Sequence, residues 1–126
     1  MTTTPYTVID TQRSVLTVIN EFQVTPEQQE QIVQRFPPLM TDVVSKVPGF
    51  VSGNLHISAD GERVLTYYQW QSREAYDTFL ADAETAAKVP AVISEYGADR
   101  RVYEVVFQVW GSPGPGRQSN GGHADV

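Results

Sequence analysis

The chain has 126 residues, enough for one domain with its own core but too few for two. Its 40% hydrophobic and 19% charged residues are typical of a globular protein, and the absence of cysteine excludes disulfides, thiolate metal sites and cysteine nucleophiles. The net charge of −6, without a basic patch, argues against a nucleic-acid partner, and no apolar run approaches the roughly 18 residues of a membrane span.

The two ends of the chain differ from its middle. We predict a flexible polar lead-in over residues 1–12, a working domain over 13–110 and a disordered, Gly- and Pro-rich tail over 111–126. The lead-in lacks the basic and apolar regions of a signal peptide, which predicts a cytoplasmic protein. His123 lies in the tail and is expected to be solvated. Because His56 is the only other histidine, no metal site is predicted.

The first half of the domain reads as a strand followed by a helix. Ser14 to Phe22 is β-branched and precedes a turn, which predicts a strand. Thr25-Pro26-Glu27-Gln28 predicts a helix start with a capping box. Apolar residues then recur at helical spacing, at Ile32, Val33, Phe36, Leu39, Met40, Val43, Val44 and Val47. Pro37-Pro38 interrupts this stripe, so we predict a kinked helix or two short helices, ended by Pro48-Gly49.

The second half begins with a predicted hairpin and ends with a predicted strand. The expected elements, in order, are a strand over Phe50–Ser58, a turn at Asp60-Gly61, a strand over Arg63–Gln71, a helix over Arg73–Ala81 capped by Ser72, a helical piece over Glu84–Tyr96 disturbed by Pro90 and stopped by Gly97, and a strand over Arg101–Trp110.

The order strand, helix, strand, strand, helix, strand predicts an α+β protein. It is the ferredoxin-like arrangement, an antiparallel sheet with its helices on one face. The last strand carries large side chains on both faces, with Tyr103, Val105, Phe107 and Val109 on one and Val102, Val106 and Trp110 on the other. Since helices cover only one face, we expect a second sheet on the other, and a homodimer supplies it most simply.

Two strands carry polar or aromatic residues in rows that share a face. Asn20 is the polar exception in the row Leu16, Val18, Asn20, Phe22, and serves either a structural hydrogen bond or a site. On the third strand the corresponding row is Val64, Thr66, Tyr68, Trp70. Trp70, where that strand leads into a helix, either packs in the core or forms the wall of a pocket. Tyr76 and Leu80 lie one and two turns into that helix and face the same place.

Two further side chains are candidates on chemical grounds. The Arg101 guanidinium suits a phenolate or carboxylate at the rim of an apolar cavity, the alternative being a surface arginine at the sheet edge. His56 could act as a base, although no carboxylate is evidently placed to orient it.

The stretch Val47–Phe79, VPGFVSGNLHISADGERVLTYYQWQSREAYDTF, resembles the antibiotic-biosynthesis monooxygenase family. It carries a Pro-Gly-Phe after the first helix, an Asp-Gly hairpin, and a Gln-Trp-x-Ser at a strand-to-helix junction, and with its flanking strands it covers about residues 14–110. The resemblance implies a ferredoxin-like dimeric α+β barrel with pockets between sheet and helices. Within the family, the chain looks most like the quinone-forming oxygenases of aromatic polyketide pathways, which use O2 without metal or flavin.

The resemblance also implies roles for particular residues. The family's tryptophan corresponds to Trp70, its helix tyrosine to Tyr76, its strand asparagine to Asn20, and its arginine to Arg101 or, less closely, Arg100. Taken together with the shared faces described above, this gives Asn20, Trp70 and Arg101 as the expected catalytic residues, and Phe22, His56, Thr66, Tyr68, Tyr76 and Leu80 as the expected substrate-binding residues. The sequence departs from the family where an asparagine often stands four residues before the tryptophan, since Thr66 occupies that position.

The implied reaction is the oxidation of an anthrone-like or polyphenolic polyketide to a quinone by O2, with no cofactor. His56, Tyr76 or water would accept the proton. Three alternatives stay open at this point. A haem-degrading oxygenase of the same superfamily requires an axial histidine after Trp70, and residues 71–122 contain none. A non-catalytic dimer that binds an aromatic ligand, and a quinol oxygenase or isomerase of the same fold, fit the same pattern.

Overall fold

The architecture is a four-stranded sheet with helices on one face, described by a computed structural model for residues 6–89 and 94–112. Its elements are β1 (Leu16–Gln23), α1 (Pro26–Asp42), a 3₁₀ helix (Val44–Lys46), β2 (Phe50–Ile57), β3 (Arg63–Trp70), α2 (Arg73–Ala81), α3 (Ala83–Lys88) and β4 (Asp99–Tyr103). All strand pairs are antiparallel, and the strand order is β2-β3-β1-β4. The predicted ferredoxin-like fold is confirmed.

The start of α1 forms as predicted. Thr25 Oγ1 accepts from the backbone N–H of Gln28 at 3.1 Å, and Gln28 Oε1 accepts from the backbone N–H of Thr25 at 3.0 Å, which completes the capping box. This reciprocal pair satisfies two backbone donors that no helical carbonyl can reach.

The prediction that Pro37-Pro38 could divide this segment into two helices is wrong. The helix is continuous through both prolines, whose side chains are exposed. Beyond them, the backbone N–H of Val43 again donates to the carbonyl of Leu39 at 3.0 Å. Ile32 and Phe36 anchor the opposite side of the helix in the core. Burial of that side offsets the two backbone donors lost at the prolines, whose fixed φ is itself helical.

The predicted hairpin and the predicted cap of α2 are confirmed. Gly61 has φ of +81° in the turn between β2 and β3, and the backbone N–H of Ser58 donates to the carbonyl of Arg63 at 3.1 Å. Ser72 Oγ accepts from the backbone N–H of Ala75 at 3.1 Å, and α2 has the predicted bounds. The expected effect of Pro90 and the expected tail, including His123, lie outside the described residues.

The last strand is shorter than predicted. β4 covers Asp99–Tyr103, and residues 104–110 are not in a strand, so the predicted strand over Arg101–Trp110 is wrong. Tyr103 pairs with Thr17, one residue after the start of β1. A chain that continues in this direction runs past the beginning of β1, and among the described residues no strand pairs with it there.

The two faces of the sheet are covered differently. The helix-covered face holds the core, in which Phe22 packs against Phe36 with ring centroids 5.7 Å apart. Part of the N-terminal segment lies on the opposite, outer face. There, Gln69 Nε2 donates to the carbonyl of Val8 at 2.9 Å, and Thr7 Oγ1 donates to Asn54 Oδ1 at 2.9 Å. The segment predicted to be a flexible lead-in is thus hydrogen-bonded to β2 and β3.

Gly49, between the 3₁₀ helix and β2, tests the packing of α2. Its φ is +88°, and a Cβ added there would lie 2.4 Å from Ala75 Cβ. Gly97 has φ of +71° but no atom within 4 Å of such a Cβ. We expect Gly49→Ala to lower the unfolding free energy by about 3 kcal/mol, and Gly97→Ala, which carries only the backbone strain, by about 1 kcal/mol. Chemical denaturation measures both, and equal losses would contradict the close approach of α2.

Candidate active site

Three consecutive inward-facing residues of β3 form the centre of the candidate site. Thr66, Tyr68 and Trp70 are all buried on the helix-covered face, with Thr66 and Trp70 at 0% exposure. β3 lies between β2 and β1, so residues on this face have a strand on either side and helices above. The predicted shared face of this row is confirmed by the ladder, which pairs the three residues with Asn20, Val18 and Leu16 of β1.

Asn20 is linked to side chains on both neighbouring strands. It is 2% exposed and pairs across the ladders with Thr66 of β3 and Arg100 of β4. Its Nδ2 donates to Thr66 Oγ1 at 2.9 Å, and its Oδ1 accepts from Arg100 Nε at 3.3 Å. The amide that stood out in an apolar row is therefore held by two side chains.

Arg100, not Arg101, lies beside Asn20. Arg101 pairs with Ile19 on the outer face, and its Nε donates to Asp99 Oδ2 at 3.1 Å. That hydrogen bond raises the pKa of the Arg101 guanidinium above its ordinary value. The expectation that Arg101 faces the site is wrong, because neighbouring residues of a strand point to opposite faces and the register places Arg100 opposite Asn20.

Trp70 lies among aromatic rings and has an unused donor. Its ring centroid is 4.9 Å from that of Phe79, 5.3 Å from Phe50 and 5.8 Å from Tyr76. Within the described ranges its buried Nε1–H has no hydrogen-bond partner. An unsatisfied buried donor costs about 1–3 kcal/mol, so the residue is not explained by packing alone. Tyr76 lies beside Trp70 as predicted, and Leu80 is half-buried against the same core.

Tyr68 is a neutral donor rather than a base. Burial raises the pKa of its phenol to about 12, so the hydroxyl stays protonated near neutral pH. Its ring packs against Phe50 at 5.9 Å, and its hydroxyl makes no hydrogen bond to another described residue. The ring also leaves no space at Gly53, where an added Cβ would lie 3.0 Å from it.

The raised pKa of Tyr68 predicts a loss of stability in alkali. Above the unfolded-state pKa of roughly 10 the unfolded chain ionises this phenol while the folded protein does not. Its contribution is therefore complete below pH of about 10 and disappears as the pH rises through the folded-state value of about 12. Between pH of about 10 and about 12, we expect the unfolding free energy of wild type to fall by about 2 kcal/mol more than that of Tyr68→Phe. Urea unfolding of both proteins at each pH tests this, and parallel curves would contradict it.

Two other expected site residues lie elsewhere. His56 is exposed on the outer face opposite Leu65, so the expectation that it acts as a base at the buried row is wrong. Phe22 is fully buried beside Phe36 and opposite Val64, at the end of the row beyond Asn20. It packs in the core and, among the described ring contacts, has none with Trp70.

No metal centre marks this site among the described residues. In residues 6–89 and 94–112 no three His, Asp or Glu side chains converge to hold a metal, and no helix there is long and apolar enough to cross a membrane. An open surface cleft of about 410 Å³ lies at the start of α1, lined by Pro26, Glu27, Gln29, Glu30, Val33 and Ile57. It contains none of the candidate residues, and we place the site at the buried row because the unused donors are there.

Comparison with known proteins covers most of these elements. Residues 15–89 match the family described as antibiotic biosynthesis monooxygenase. Tetracenomycin-F1 monooxygenase of Streptomyces glaucescens is 37% identical over 68 residues, which are 54% of this chain and 61% of that relative, so the chain covers less than two thirds of its length. The matched range includes β1, which carries Asn20, and β3, which carries the candidate row. Arg100 lies beyond its last residue, 89.

Solved structures agree with the fold. A monooxygenase from the gene ActVA-Orf6 of Streptomyces coelicolor, solved with nanaomycin D, has a TM-score of 0.67 and 25% identity, with 82% of this chain and 96% of that chain covered. The cofactor-independent oxygenase SnoaB of Streptomyces nogalater has a TM-score of 0.59 and 17% identity, with 78% and 98% covered. The second likeness concerns the fold alone.

Proposed function

The chain belongs to the antibiotic biosynthesis monooxygenase family, and from that premise we propose that it oxidises an anthrone-like or polyphenolic polyketide to a quinone with O2. It uses neither a metal nor a flavin. The tetracenomycin-F1 monooxygenase and the monooxygenase solved with nanaomycin D support the substrate class.

The observation that carries this proposal is the unpaired indole N–H of Trp70 inside an aromatic enclosure. Flat apolar rings favour a flat fused-ring ligand, and a lone buried donor favours an oxygen acceptor on that ligand. A polyphenol or its quinone has both properties. The phenol of Tyr68, on the same face, is a second neutral donor.

The reaction needs donors and shielding more than it needs a reactive side chain. An anthrone loses a proton from its ring methylene, and the enolate gives one electron to O2. The two radicals join at that carbon as a peroxide, whose O–O bond breaks with loss of water to leave a carbonyl. One oxygen atom enters the quinone and the other leaves in water. Donors placed at the enolate oxygen lower the barrier to the first step.

Three proton acceptors were expected, namely His56, Tyr76 and water. His56 faces the other side of the sheet. Tyr76 and water are the two acceptors left of those expected.

The protein acts as a homodimer in this proposal. Beyond β4 the chain carries four large apolar side chains that are about four-fifths exposed, Val106, Phe107, Val109 and Trp110. Such a row is rare on a monomer and marks an interaction surface. A second copy gives this segment the strand neighbour that β1 of its own protomer no longer supplies.

Incubation with dithranol, an anthrone, tests the proposed function. The protein, dialysed against chelator, is compared in air and under nitrogen, and the quinone absorbance is followed against the uncatalysed oxidation. We expect quinone to form faster with protein in air and not under nitrogen. Saturable binding without faster turnover would identify a carrier instead, and no binding would remove the substrate class.

A further inference from the structure

We infer that Arg100 acts on the substrate without touching it, through a one-way chain of hydrogen bonds that ends at the hydroxyl hydrogen of Thr66. This inference rests on the proposed function. Its links are Arg100 Nε to Asn20 Oδ1 at 3.3 Å and Asn20 Nδ2 to Thr66 Oγ1 at 2.9 Å. The ligand it predicts carries a carbonyl or enolate oxygen at Thr66.

The direction of the chain follows from which groups can only donate. A guanidinium has no acceptor, so the Asn20 amide must turn its oxygen toward Arg100. The amide nitrogen then faces Thr66 and, having only donors, obliges the Thr66 oxygen to accept. The Thr66 hydrogen must therefore point away from Asn20. Exchanging the oxygen and nitrogen of the Asn20 amide would place two donors against each other at Arg100, so the arginine sets the orientation of this amide.

The end of the chain is a buried donor without an acceptor. Thr66 is 0% exposed, and in the described part of the chain its hydroxyl makes no hydrogen bond except the one it accepts from Asn20. A buried hydroxyl hydrogen left unused is costly, which points to a ligand atom as its partner. Because all the bonds run in one direction from a cation, each strengthens the next.

This arrangement has a consequence for ligand selection. An asparagine side chain would offer two N–H donors and a carbonyl acceptor, whereas Thr66 offers one hydrogen and an oxygen that already accepts from Asn20 at one of its two lone pairs. The site therefore binds an oxygen that accepts, and binds it more tightly as negative charge develops on it. In the proposed reaction that oxygen is the one that becomes the enolate.

The test is a double-mutant cycle of Thr66→Val and Arg100→Gln, with Arg101→Gln as the matched control because that arginine lies on the outer face. We expect Thr66→Val to lower kcat for dithranol about 100-fold, and Arg100→Gln about 10-fold. In the Thr66→Val background, Arg100→Gln should change kcat less than 2-fold, because the loss of the Thr66 hydroxyl has already removed the last hydrogen bond of the chain. Thr66→Ser should recover most of the activity, and Arg101→Gln should leave it within 2-fold.

The same proteins are titrated with 1,8-dihydroxyanthraquinone, and binding is followed by tryptophan fluorescence. This distinguishes a failure of the proposed function from a failure of the hydrogen-bond chain. If wild type binds but does not turn over, the proposed function fails, while non-additive changes in Kd still support the chain. Additive effects of the two substitutions, in kcat or in Kd, would overturn it. So would a folded Thr66→Val protein that keeps wild-type turnover. If Thr66→Val does not fold, the test is the comparison of kcat between Arg100→Gln and Arg101→Gln. Equal values of kcat would overturn the proposed chain of hydrogen bonds.

Discussion

Replacing Trp70 with phenylalanine is expected to lower kcat/KM for an anthrone by about 100-fold, with little loss of stability. The change removes the only polar atom of the side chain, an N–H that has no partner among the described residues. Removing an unsatisfied donor relieves about 1–3 kcal/mol, which offsets part of the packing lost with the smaller ring. The phenyl ring retains contacts with Phe50 and Phe79. Stopped-flow oxidation of dithranol and chemical denaturation measure the two quantities.

Phe36→Leu is the matched control for that substitution. Phe36 is buried in the same core, packs on Phe22 at 5.7 Å, has no polar side-chain atom and, among the described ring contacts, has none with Trp70. Its truncation should cost about 2 kcal/mol of stability while leaving kcat/KM within about 5-fold of wild type. The Trp70 variant should therefore lose activity but little stability, whereas the control should lose stability but little activity. A Trp70→Phe protein that is destabilised and fully active would show that the indole serves only the core.

The double substitution Val106→Asp, Phe107→Asp is expected to convert a dimer into monomers. Both side chains are exposed in the protomer, at 81% and 76%, so the change does not disturb its own core. In a dimer they would be covered, and two buried unpaired carboxylates would raise the dimer Kd at least about 1,000-fold. Sedimentation over a range of protein concentrations measures this.

The control for the dimer is Val33→Asp. Val33 is also an exposed apolar residue, at 41%, but it lies on α1 on the helix side of the sheet. It should leave the oligomeric state unchanged. Wild type that sediments as a monomer at micromolar concentration would contradict the proposed dimer, as would an aspartate double variant that stays dimeric.

Local signals in the sequence predicted the local structure well. The capping box at Thr25, the cap at Ser72 and the Asp60-Gly61 turn depend on residues within three positions of one another, and all three form. Pro37-Pro38 shows the limit of such signals. A local rule predicts a possible break there, but the burial of Ile32 and Phe36 on the other side of the helix keeps it continuous.

Register between distant strands was beyond the sequence. Alternation predicted that Thr66, Tyr68 and Trp70 share a face, because that requires only the period of one strand. Whether Arg100 or Arg101 faces Asn20 depends on how β4 is aligned against β1, some 80 residues earlier. The end of β4 depends in the same way on where β1 begins. The two arginines are adjacent, so a shift of one residue exchanges the surface arginine with the one at the site.

The sequence singled out several residues of the candidate site but not the contacts between them. Asn20 stood out as a polar residue in an apolar row, but its partners come from two other strands. The unpaired donor of Trp70 depends on what surrounds it in space, which no spacing reveals. His56 had suitable chemistry and lies on the wrong face.

The most direct test of the proposed oxygenation follows the fate of the oxygen atoms. The protein, freed of metal and flavin, is given an anthrone under O2 labelled with the heavy oxygen isotope, and the quinone is analysed by mass spectrometry alongside O2 uptake. We predict one labelled atom in each quinone, equal amounts of O2 consumed and quinone formed, and a rate well above that without protein. Quinone that carries oxygen from water, or a rate no faster than the uncatalysed oxidation, would contradict the account.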